Sequence, residues 1–431
     1  MRIAPHLLLT STHFTLFAVS TPGSHLFSNA LVGVSVLGLL ASAIFLVLVL
    51  IATFRFRKNS ARYRNEAFSA DPQSLPPVSI FKPVHGMEAR LEENLRSFFE
   101  QDYPDYEVYI GARSPDDAGI AVAKKLQLEY PHVKSRLVIS GAPEWPNAKV
   151  FTLGKMIPLS QNNYFVISDS DVRAGADFLR NVIPPLLDRK VGLVTCLYRG
   201  DPAADFWSRL EALGMSVEMP SGVVVADMLE GIRFALGPAV ALRRDSLDAI
   251  GGISETADYY SDDYVLGEKI WRAGYKVIFS HYFIYHVLTP RPFVRTLGDQ
   301  LRWMKSTRHS RPLGHFGTGL TFAMPFALLG LAAGYALGNP ELAWALFTAG
   351  YLNRVIQSLA VGWGLLKDSR ALRLCWLYPL RDLQGFCVWA ASYLSHNFYW
   401  RGEHYTFTAE GKIISRDRKS RPAAPAQTTS A

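Results

Sequence analysis

Three acidic clusters in the middle of the chain have the residue types and spacing of a site for a metal-bound anion. They are Asp116 with Asp117, Asp169 with Asp171, and Asp262 with Asp263. The first two clusters follow strand-like apolar runs, and the third opens a helix-like run. Carboxylates at the ends of parallel strands lie along one rim of an α/β sheet, where such folds bind ligands. The series therefore predicts chemistry on an anionic, metal-bound substrate.

The second cluster has the spacing of a divalent-cation site. In an extended chain, residues i and i+2 point the same way. The carboxylates of Asp169 and Asp171 could therefore bind Mg²⁺ or Mn²⁺ together and leave positions open for phosphate oxygens. A bound ion would neutralise a departing diphosphate. The alternative is a strand-to-turn cap, a position that Asp and Ser favour.

The other two clusters have residue types suited to nucleotide binding and proton transfer. One residue of the pair Asp116 and Asp117 could cap the following helix, and the other could accept hydrogen bonds from a nucleobase or ribose. We take Asp117 as the candidate for binding. Adjacent like charges raise one pKa of a pair, so Asp263 could act as a general base toward an acceptor hydroxyl. Helix capping is the alternative for the third cluster as well, above all for Asp262.

Four further residues could contact a substrate. Lys149 could meet a phosphate, and its alternative is an ordinary surface lysine. In the amphipathic stretch around 299–303, Arg302 could bind a diphosphate in bidentate fashion while Trp303 packs against the acceptor. Gln300, Arg302 and Trp303 would then form a lid. The alternative there is an interfacial helix with a belt tryptophan and a snorkelling arginine.

The composition indicates a soluble domain joined to membrane segments. Of the 431 residues, 49% are hydrophobic and 19% are charged, which is apolar for a soluble enzyme and polar for a membrane bundle. Residues 30–54 contain no charge, and a bilayer span needs about 20 apolar residues. The formal net charge is +8, and basic residues flank the apolar segments at 55–64 and 291–311. Such flanks mark the cytoplasmic side and an anionic membrane surface, and they argue against nucleic acid as the partner.

The order of apolar, basic and mixed segments divides the chain into seven parts. Strand-like and helix-like runs alternate between residues 78 and 290, which predicts an α/β domain with a largely parallel sheet covered by helices. The predicted strands are 78–81, 106–110, 136–139, 164–168, 191–196 and 276–280, and the predicted helices are 88–101, 118–130 and 264–273. The predicted parts are an N-terminal segment (1–29), a transmembrane anchor (30–54), a basic and proline-containing linker (55–77), a catalytic domain (78–290), an interfacial segment (291–312), C-terminal membrane helices (316–399) and a tail (400–431) that is disordered from about 416.

The C-terminal apolar region contains two predicted spans, at 316–337 and 342–366, and a third segment at 375–399. The basic flank places residues 55–312 in the cytoplasm, and two spans return the chain to that side. Arg381 and Asp382 fall inside the third segment. Ionisable residues at such a place predict that this segment dips into the membrane or lies along it.

In this order the motifs resemble the membrane-bound ceramide glucosyltransferase family, family 21, which is similar to the family 2 glycosyltransferases. The stretches that carry the resemblance are SIFKPVHGMEARLEENLRSFFEQDYPDYEVYIGA (79–112), PDDAGIAVAKKL (115–126), VISDSDVR (166–173), VGLV (191–194), ALRRDSLDAIGGI (241–253), SDDYVLGEKIWRAGY (261–275) and DQLRW (299–303). The hopanoid-modifying bacterial glycosyltransferases are similar through the same block, so the acceptor lipid stays open.

The resemblance implies a GT-A (Rossmann-like) α/β glycosyltransferase domain with one N-terminal and two to three C-terminal transmembrane helices. It implies an inverting enzyme that moves a hexose, such as glucose, from a UDP-sugar to a membrane lipid hydroxyl, such as that of ceramide, with Mg²⁺ or Mn²⁺ as cofactor. The expected location is the bacterial inner membrane, with the catalytic domain in the cytoplasm. Three alternatives stay open: a hopanoid glycosyltransferase, a processive polysaccharide synthase and a non-catalytic membrane scaffold. The sequence makes no prediction of the oligomeric state.

The resemblance also implies roles for single residues. Asp117 would take part in nucleotide binding, and Asp169 would contact the diphosphate and the metal. Asp263 would be the catalytic base. Arg302 and Trp303 would close the site.

Three positions depart from the family pattern. Asp171 restores the D-x-D motif of the family 2 enzymes, which favours metal dependence. Ser114 stands where the wider family often has an acidic residue. Asp299 holds the first position of the closing motif, and Gln300 follows one residue late, so the role of Gln300 is less well defined than that of Arg302.

Overall fold

The computed structural model describes residues 22–68 and 74–417. Within them, a mixed eight-stranded sheet forms the centre of the region between residues 78 and 287. Its strands are β1 (Val78–Pro83), β2 (Tyr106–Ala112), β3 (Lys134–Ile139), β4 (Tyr164–Ser168), β5 (Val172–Arg173), β6 (Val191–Asp201), β7 (Ala239–Arg243) and β8 (Lys276–Val287). They lie in the order β3-β2-β1-β4-β7-β6-β8-β5. The prediction of an α/β domain is confirmed.

One half of the sheet is parallel and carries polar loops at one edge. β1 pairs in parallel with β2 and β4, and β2 pairs in parallel with β3. Because parallel strands end on the same side, the loops that follow β1, β2 and β4 meet at one edge of the sheet. In the other half, β6 and β8 pair in parallel, but β7 is antiparallel to β4 and β6, and β5 is antiparallel to β8. The prediction of a largely parallel sheet is therefore corrected to a mixed sheet.

Helices cover both faces of this sheet. The helices up to residue 272 are α1 (Pro22–Phe68), α2 (Leu91–Phe99), α3 (Ala118–Glu129), α4 (Ala148–Met156), α5 (Phe178–Val182), α6 (Phe206–Glu230), α7 (Arg244–Asp248) and α8 (Asp262–Arg272). Successive strand residues pack on opposite sides: Phe81 and Tyr109 belong to one core, and Ile80 and Ile110 to the other. This arrangement explains the short, almost wholly apolar strands of the sequence, because both faces of the sheet are buried.

Among the elements of the domain that are absent from the sequence-based prediction, α6 and β7 are central to the packing. α6 contains Pro220 in its interior, and a proline normally indicates the end of a helix. β7 consists of five buried residues, so it shows no alternation of polar and apolar positions. Contacts with other elements stabilise both: α6 packs against α1 and β6, and β7 pairs with β4 and β6.

The N-terminal helix α1 is unbroken over 47 residues, which corresponds to a length of about 70 Å. Residues 25–60 have the length and composition of a membrane span, with a mean hydropathy of 2.9. The predicted anchor at 30–54 lies within this range. In the part of the chain that the structure describes, only one other helix passes the same test, namely α6, and it is mostly buried inside the protein.

The predicted linker at 55–77 is wrong in its first part, because α1 continues to Phe68. The ring of Phe56 packs against Phe279 and Phe283 of β8, with ring centroids 6.3 and 6.4 Å apart. Ser60 Oγ lies 2.5 Å from Nδ1 of His281 on the same strand. The end of the anchor helix is therefore docked on the sheet. Residues 1–21, 69–73 and 418–431 lie outside the described residues, and with them most of the predicted N-terminal segment, the middle of the linker and the end of the tail.

The C-terminal region is helical, as predicted, but its helices are shorter than the predicted spans. They are α9 (Phe293–Ser310), α10 (Pro312–Thr318), α11 (Met324–Ala336), α12 (Pro340–Gln357), α13 (Ser369–Arg373) and α14 (Tyr378–Ala391), and a π-helical turn region (Ser358–Leu365) extends α12. The predicted span at 316–337 is interrupted between α10 and α11. The α-helix in the segment at 375–399 is α14, which is 14 residues long, and the segment ends in a strand that begins at Asn397. The number of membrane crossings stays a prediction.

A buried ion pair explains the interruption before α11. Arg354 of α12 and Asp382 of α14 are each 2% exposed, and Arg354 Nη1 lies 3.1 Å from Asp382 Oδ1. Asp382 Oδ2 accepts hydrogen bonds from the backbone N–H groups of Ala323 (3.0 Å) and Met324 (2.8 Å), which begin α11. Arg354 Nη2 donates to Ser42 Oγ of α1 (2.8 Å). The pair therefore joins α1, α11, α12 and α14.

A second, three-stranded antiparallel sheet follows α14. Its strands are β9 (Asn397–Trp400), β10 (Glu403–Phe407) and β11 (Ile413–Ser415). The sheet docks beside α8, where Ile413 N donates to Asp258 O (2.8 Å) and Lys412 Nζ lies 3.0 Å from Asp258 Oδ2. The prediction of a tail from residue 400 is therefore wrong as far as Ser415. A small aromatic core holds this sheet together with a residue of the first domain: Phe398, Tyr405, Phe407 and Tyr260.

Candidate active site

The second and third acidic clusters meet around a buried lysine. Asp169 follows β4, Asp262 begins α8, and Lys149 lies in the first turn of α4. Lys149 Nζ is 2.9 Å from Asp169 Oδ1 and 3.1 Å from Asp262 Oδ2, and the lysine side chain is 11% exposed. Burial opposes the charge of Lys149, but the two carboxylates outweigh burial and raise its pKa. Lys149 is therefore a charged side chain that two carboxylates fix in place, and not an ordinary surface lysine.

Asn147 positions this lysine. Its side-chain oxygen caps α4 by accepting hydrogen bonds from the N–H groups of Lys149 (3.0 Å) and Val150 (3.3 Å). Its amide nitrogen donates to Tyr259 O (2.9 Å) and to Asp262 Oδ1 (3.3 Å). One asparagine thereby ties the beginning of α4 to the beginning of α8, and it holds the predicted site residue Lys149 beside Asp262.

Asp263 lies beside this cluster with a perturbed carboxyl group. Burial and the negative charge of Asp262 raise the pKa of Asp263 to about 7, against the attraction of Lys149. The carboxylate faces Gly237: a Cβ atom at that position would lie 3.0 Å from Asp263 Oδ2, so a side chain there would crowd it. A group whose pKa lies near the working pH is suited to accept a proton from a substrate.

Lys82, a residue of β1, fixes the D-x-D loop to the sheet by hydrogen bonds. The Lys82 ammonium donates to the backbone oxygen of Asp169 and to Ser168 Oγ (3.2 Å). Burial lowers the pKa of Lys82 to about 7, although the nearby carboxylates oppose that shift. The sequence-based analysis missed this residue. The feature of the sequence that could have indicated Lys82 is a single charged residue inside the otherwise uncharged strand VSIFKP.

Glu88 is a further carboxylate at this edge that the sequence did not indicate. Ser170 Oγ, between the two D-x-D aspartates, donates to Glu88 Oε2 (2.5 Å). Burial and the charge of Asp171 raise the pKa of Glu88. The sequence places Glu88 inside the predicted helix at 88–101. In the structure, α2 begins only at Leu91, and the loop before it brings Glu88 to the site.

Asp169 and Asp171 fit a divalent cation that is shared with a phosphate ligand. Asp171 Oδ1 is buried and has no hydrogen-bond partner among the described residues, and Asp171 Oδ2 lies 3.5 Å from His286 Nε2. Within the described ranges, no group of three or more His, Cys, Asp or Glu side chains could hold a metal ion on its own. Mg²⁺ commonly takes one or two carboxylates and completes its shell with substrate phosphates and water. The two carboxylates are therefore suited to an ion that binds together with a nucleotide.

The first acidic cluster joins two loops at the same edge of the sheet. Asp117, and not Asp116, caps α3 by accepting from Gly119 N (2.8 Å). Both carboxylate oxygens of Asp117 also accept from Gly86 N, at 3.0 and 2.9 Å, which ties the loop after β2 to the loop after β1. The expectation that Asp116 provides the cap is therefore wrong. The nucleotide-binding role of Asp117 stays a prediction.

Arg302 of α9 faces the loop before α8. Its Nη2 donates to Asp299 Oδ1 (2.7 Å), and its Nη1 donates to the Tyr260 hydroxyl. Asp299 and Arg302 are one helical turn apart, so their pairing is geometrically natural. This pairing gives a structural role to Asp299 at the position where the motif departs from the family pattern.

The other two predicted lid residues have different surroundings. Gln300 is buried and contacts α14, where Gln384 Nε2 donates to Gln300 Oε1 (3.3 Å). Its hydrogen-bond partner in the described part of the chain is thus on a C-terminal helix. Trp303 packs against apolar side chains of α6 and the end of β8: Ala212, Met215 and Leu288.

The second sheet packs beside the loop that leads into α8, in a part of the chain that the sequence predicts to be a tail. Arg401 and Gly402 form the tip between β9 and β10, with φ values of 49° and 87°. The Arg401 guanidinium lies 5.2 Å from the centroid of the Trp400 ring, and the Trp400 ring packs on Tyr260 of that loop. Burial, together with the charges of Arg401 and Arg113, lowers the pKa of His85 in the loop after β1.

Comparison with known families gives a match over most of the chain. The model of glycosyl transferase family 21 matches residues 40–413. This range includes most of α1, the complete first domain, the C-terminal helices and the second sheet up to the beginning of β11.

Similar curated proteins and solved structures match less of the chain or match it more weakly. The chain is 27% identical over 226 residues to ceramide glucosyltransferase 3 of Caenorhabditis elegans, covering 51% of this chain and 48% of that protein. It is 28% identical over 188 residues to the beta-monoglucosyldiacylglycerol synthase of Trichormus variabilis, covering 42% and 39%. The chain thus spans about half or less of these relatives. A mannosyltransferase of Pyrobaculum calidifontis, solved in complex with GDP-Man and Mn²⁺, is 18% identical with a TM-score of 0.46, covering 82% of this chain and 98% of that one, a similarity too low to carry an argument.

Proposed function

Because the chain belongs to glycosyl transferase family 21, we propose that it transfers a hexose from a UDP-sugar to the hydroxyl group of a membrane lipid. The observation that carries the proposal is the Asp263 carboxyl group, with its pKa of about 7, beside the Lys149 ion pairs and the D-x-D loop. The names of the relatives, which refer to glucosyl transfer to ceramide and to monoglucosyldiacylglycerol synthesis, support glucose as the sugar. They also support ceramide or diacylglycerol as the acceptor.

The proposed reaction is a single displacement with inversion at the anomeric carbon. The lipid hydroxyl oxygen forms a bond to this carbon while the bond from the carbon to the terminal phosphate oxygen of UDP breaks. Asp263 takes the hydroxyl proton, and UDP leaves with the electron pair of the broken bond. The ion pairs of Lys149 with Asp169 and Asp262 hold these two carboxylates in place during this step.

In the proposed donor complex, the diphosphate lies over the D-x-D loop. A divalent ion bound by Asp169 and Asp171, Mg²⁺ or Mn²⁺, would supply charge neutralisation to the leaving UDP. Asp117 retains acceptor capacity for the nucleotide, because a carboxylate has about four lone-pair sites and three are used by Gly86 and Gly119. Arg302, already charged and oriented by Asp299, is proposed to bind the diphosphate.

The acceptor would reach this site from the membrane in which α1 lies. The described apolar part of α1 is followed by Arg55, Arg57 and Lys58, and basic residues beside a span mark the cytoplasmic side. We therefore place the catalytic domain on the cytoplasmic face, in the inner membrane of a bacterial cell.

Removing divalent cations should stop transfer. With the full-length protein in lipid vesicles, EDTA is expected to reduce the rate by about 100-fold or more, because a bound ion contributes several kcal/mol to a charged transition state. Added Mn²⁺ or Mg²⁺ should restore the rate. Asp171→Asn should raise the metal concentration needed for half of the maximal rate. Transfer that continues undiminished in EDTA would refute the metal assignment.

Replacing Lys149 by methionine should move the pH dependence to higher pH. The attraction of Lys149 holds the pKa of Asp263 down, and the base must be deprotonated to work. Without this cation, the pH at which kcat/KM is half-maximal should rise by about one unit or more. Lys155→Met, an exposed lysine on the same helix, is the matched control. Superimposable pH profiles of Lys149→Met and the wild type would show that Lys149 does not act on the base.

The proposed function can be tested with the purified full-length chain in vesicles that contain ceramide or diacylglycerol. UDP-glucose is added, and the lipid extract is analysed by mass spectrometry while UDP release is measured. We expect lipid that carries one hexose, formed in equal amount to UDP. A polymer would instead identify a polysaccharide synthase, and the absence of transfer from every UDP-hexose tested would favour the scaffold alternative.

A further inference from the structure

The tip of the β9–β10 hairpin carries an arginine where its turn favours another residue. Glu403 pairs with Trp400, so Arg401 and Gly402 form a two-residue loop, and both have positive φ. Two positive φ values are the pattern of a type I′ turn, in which Asn-Gly is a preferred pair. Arginine in this region of backbone space is uncommon. An uncommon residue held there points to a role for its side chain.

The hairpin has a defined place beside the first domain. The Tyr260 ring lies 5.1 Å from the Trp400 ring and 5.4 Å from the Phe398 ring, measured between centroids. From the other side, Lys305 Nζ of α9 donates to Asn397 O (2.7 Å). These contacts fix the strands that lead into the turn, and with them the position of the arginine at its tip.

Two guanidinium groups flank one pair of aromatic rings. Arg302 Cζ lies 5.3 Å from the centroid of the Tyr260 ring, and Arg401 Cζ lies 5.2 Å from that of the Trp400 ring. Arg302 is paired with Asp299. Arg401 is exposed and forms no ion pair with a carboxylate of the described residues. Its cation–π contact leaves the N–H groups of the guanidinium available to a ligand.

The exposed guanidinium lies next to a residue of the proposed donor site. The Trp400 ring, over which Arg401 lies, packs on the Tyr260 ring, and the Tyr260 hydroxyl accepts a hydrogen bond from Arg302. The proposed function places Arg302 on the diphosphate, so Arg401 lies on the same side of the site. A planar guanidinium binds two phosphate oxygens at once, which makes arginine the side chain of choice for such a ligand.

We propose that Arg401 binds the diphosphate of the nucleotide-sugar donor, so that the C-terminal sheet forms one wall of the donor site. This inference rests on the proposed function, since it uses the same donor. The phosphate of an anionic lipid headgroup could bind Arg401 by the same chemistry. The test distinguishes the nucleotide from the lipid because one measurement uses UDP and the other uses lipid vesicles.

The test uses Arg401→Asn in the full-length protein, because asparagine suits the turn and removes only the charge. UDP affinity is measured by calorimetry in detergent with Mn²⁺ present, and the KM values for UDP-glucose and for the lipid are measured in vesicles. We expect UDP affinity to fall and the donor KM to rise by about 10- to 100-fold, with an unchanged lipid KM. Arg401→Lys should lose less. Arg416→Asn changes an exposed arginine directly after β11; it is the matched control and should behave as the wild type.

Unchanged UDP affinity in Arg401→Asn would overturn the inference. Unchanged UDP affinity together with weaker binding to vesicles that contain phosphatidylglycerol would overturn it in favour of a lipid headgroup. The calorimetric measurement requires no transfer, so a loss of UDP affinity in Arg401→Asn supports the inference even if no lipid is glycosylated. In that case only the proposed function fails. A wild-type chain that binds no UDP would refute both.

Discussion

Replacing Asp263 by asparagine is expected to reduce sugar transfer by about 10²- to 10⁴-fold, the contribution typical of a general base, while UDP binding persists. The amide of asparagine has nearly the shape of the carboxylate, but it cannot take the proton of the acceptor hydroxyl. The measurement is kcat with UDP-glucose and a saturating lipid, together with UDP affinity by calorimetry. In the wild type, kcat/KM should rise with pH through about 7, because burial and Asp262 raise the pKa of Asp263 to that value. This rise should be absent from the residual activity of the variant.

Glu268→Gln is the matched control for this variant. Glu268 lies on the same helix, and it pairs at 2.8 Å with Arg272 on the solvent side, so its loss should leave transfer unchanged. Wild-type turnover by Asp263→Asn would show that another group removes the proton. A loss of UDP affinity in proportion to the loss of rate would show that Asp263 acts on binding instead.

The stability of Asp263→Asn reports independently on the perturbed carboxyl group. Burial raises the pKa of Asp263 from its ordinary value of 3.8 to about 7, so the folded chain binds this proton more tightly than the unfolded chain. The stabilisation from the bound proton is present at low pH and is lost as pH rises from about 4 through about 7. Asparagine carries no charge at any pH. The thermal midpoint of the variant relative to the wild type should therefore be higher at pH 8 than at pH 5, and a difference independent of pH would contradict the assigned burial.

Replacing Asp382 by alanine should destabilise the protein by about 3–5 kcal/mol, the cost typical of leaving one member of a buried ion pair alone. The variant leaves the Arg354 charge without its carboxylate, and it removes the acceptor of the Ala323 and Met324 N–H groups. The expected result is a much lower thermal midpoint in detergent and a lower yield of folded protein. The loss should be the same with and without UDP, because the pair lies among the C-terminal helices.

Two further variants divide this loss into its parts. Asp382→Asn keeps an oxygen for the N–H groups that begin α11 and removes only the charge, so it should lose less. Arg354→Met combined with Asp382→Asn should recover part of the stability, because no unpaired charge is then buried. Asp105→Asn, which breaks an exposed pair with Lys134, should leave the midpoint nearly unchanged. Equal midpoints for Asp382→Ala and Asp105→Asn would show that the buried pair contributes nothing.

The D-x-D edge of the site could be predicted from the sequence because its signals are local. β1, β2 and β4 are short apolar runs, and polar loops follow them at once, so parallel pairing places those loops at one edge. The same holds for Asp263, since the beginning of α8 is clear from its helical spacing. Local sequence signals are not sufficient for the first acidic cluster. Both Asp116 and Asp117 are good caps by residue type, and only the packing of the loop that contains Gly86 selects Asp117.

The features that the sequence did not indicate depend on contacts between distant segments. The sequence indicates Lys149 as a candidate phosphate contact, but its pairing with Asp169 and Asp262 is visible only when α4 and α8 are placed side by side. The strands of the second sheet are three to five residues long, and their small core is completed by Tyr260 of the first domain, so no local sequence pattern indicates them. The position of Arg401 beside Tyr260 follows only from this docking. Sequence patterns indicate an element whose own residues form a regular apolar face. They miss an element whose apolar core depends on residues from distant parts of the chain.

The docking of α1 on β8 has a geometric consequence for the choice of acceptor. Phe56 and Ser60 hold the end of α1 against the sheet, so α1 is joined rigidly to the first domain. In the proposed membrane arrangement, the D-x-D edge would stay at a fixed height and tilt above the bilayer, and it would not sample the volume that a flexible linker allows. Lipid hydroxyl groups at the matching depth would meet the proposed base, Asp263, at high local concentration. Hydroxyl groups buried deeper, or free in the cytosol, would lie outside its reach. Depth in the membrane would thus select the acceptor before any contact with its chemical structure.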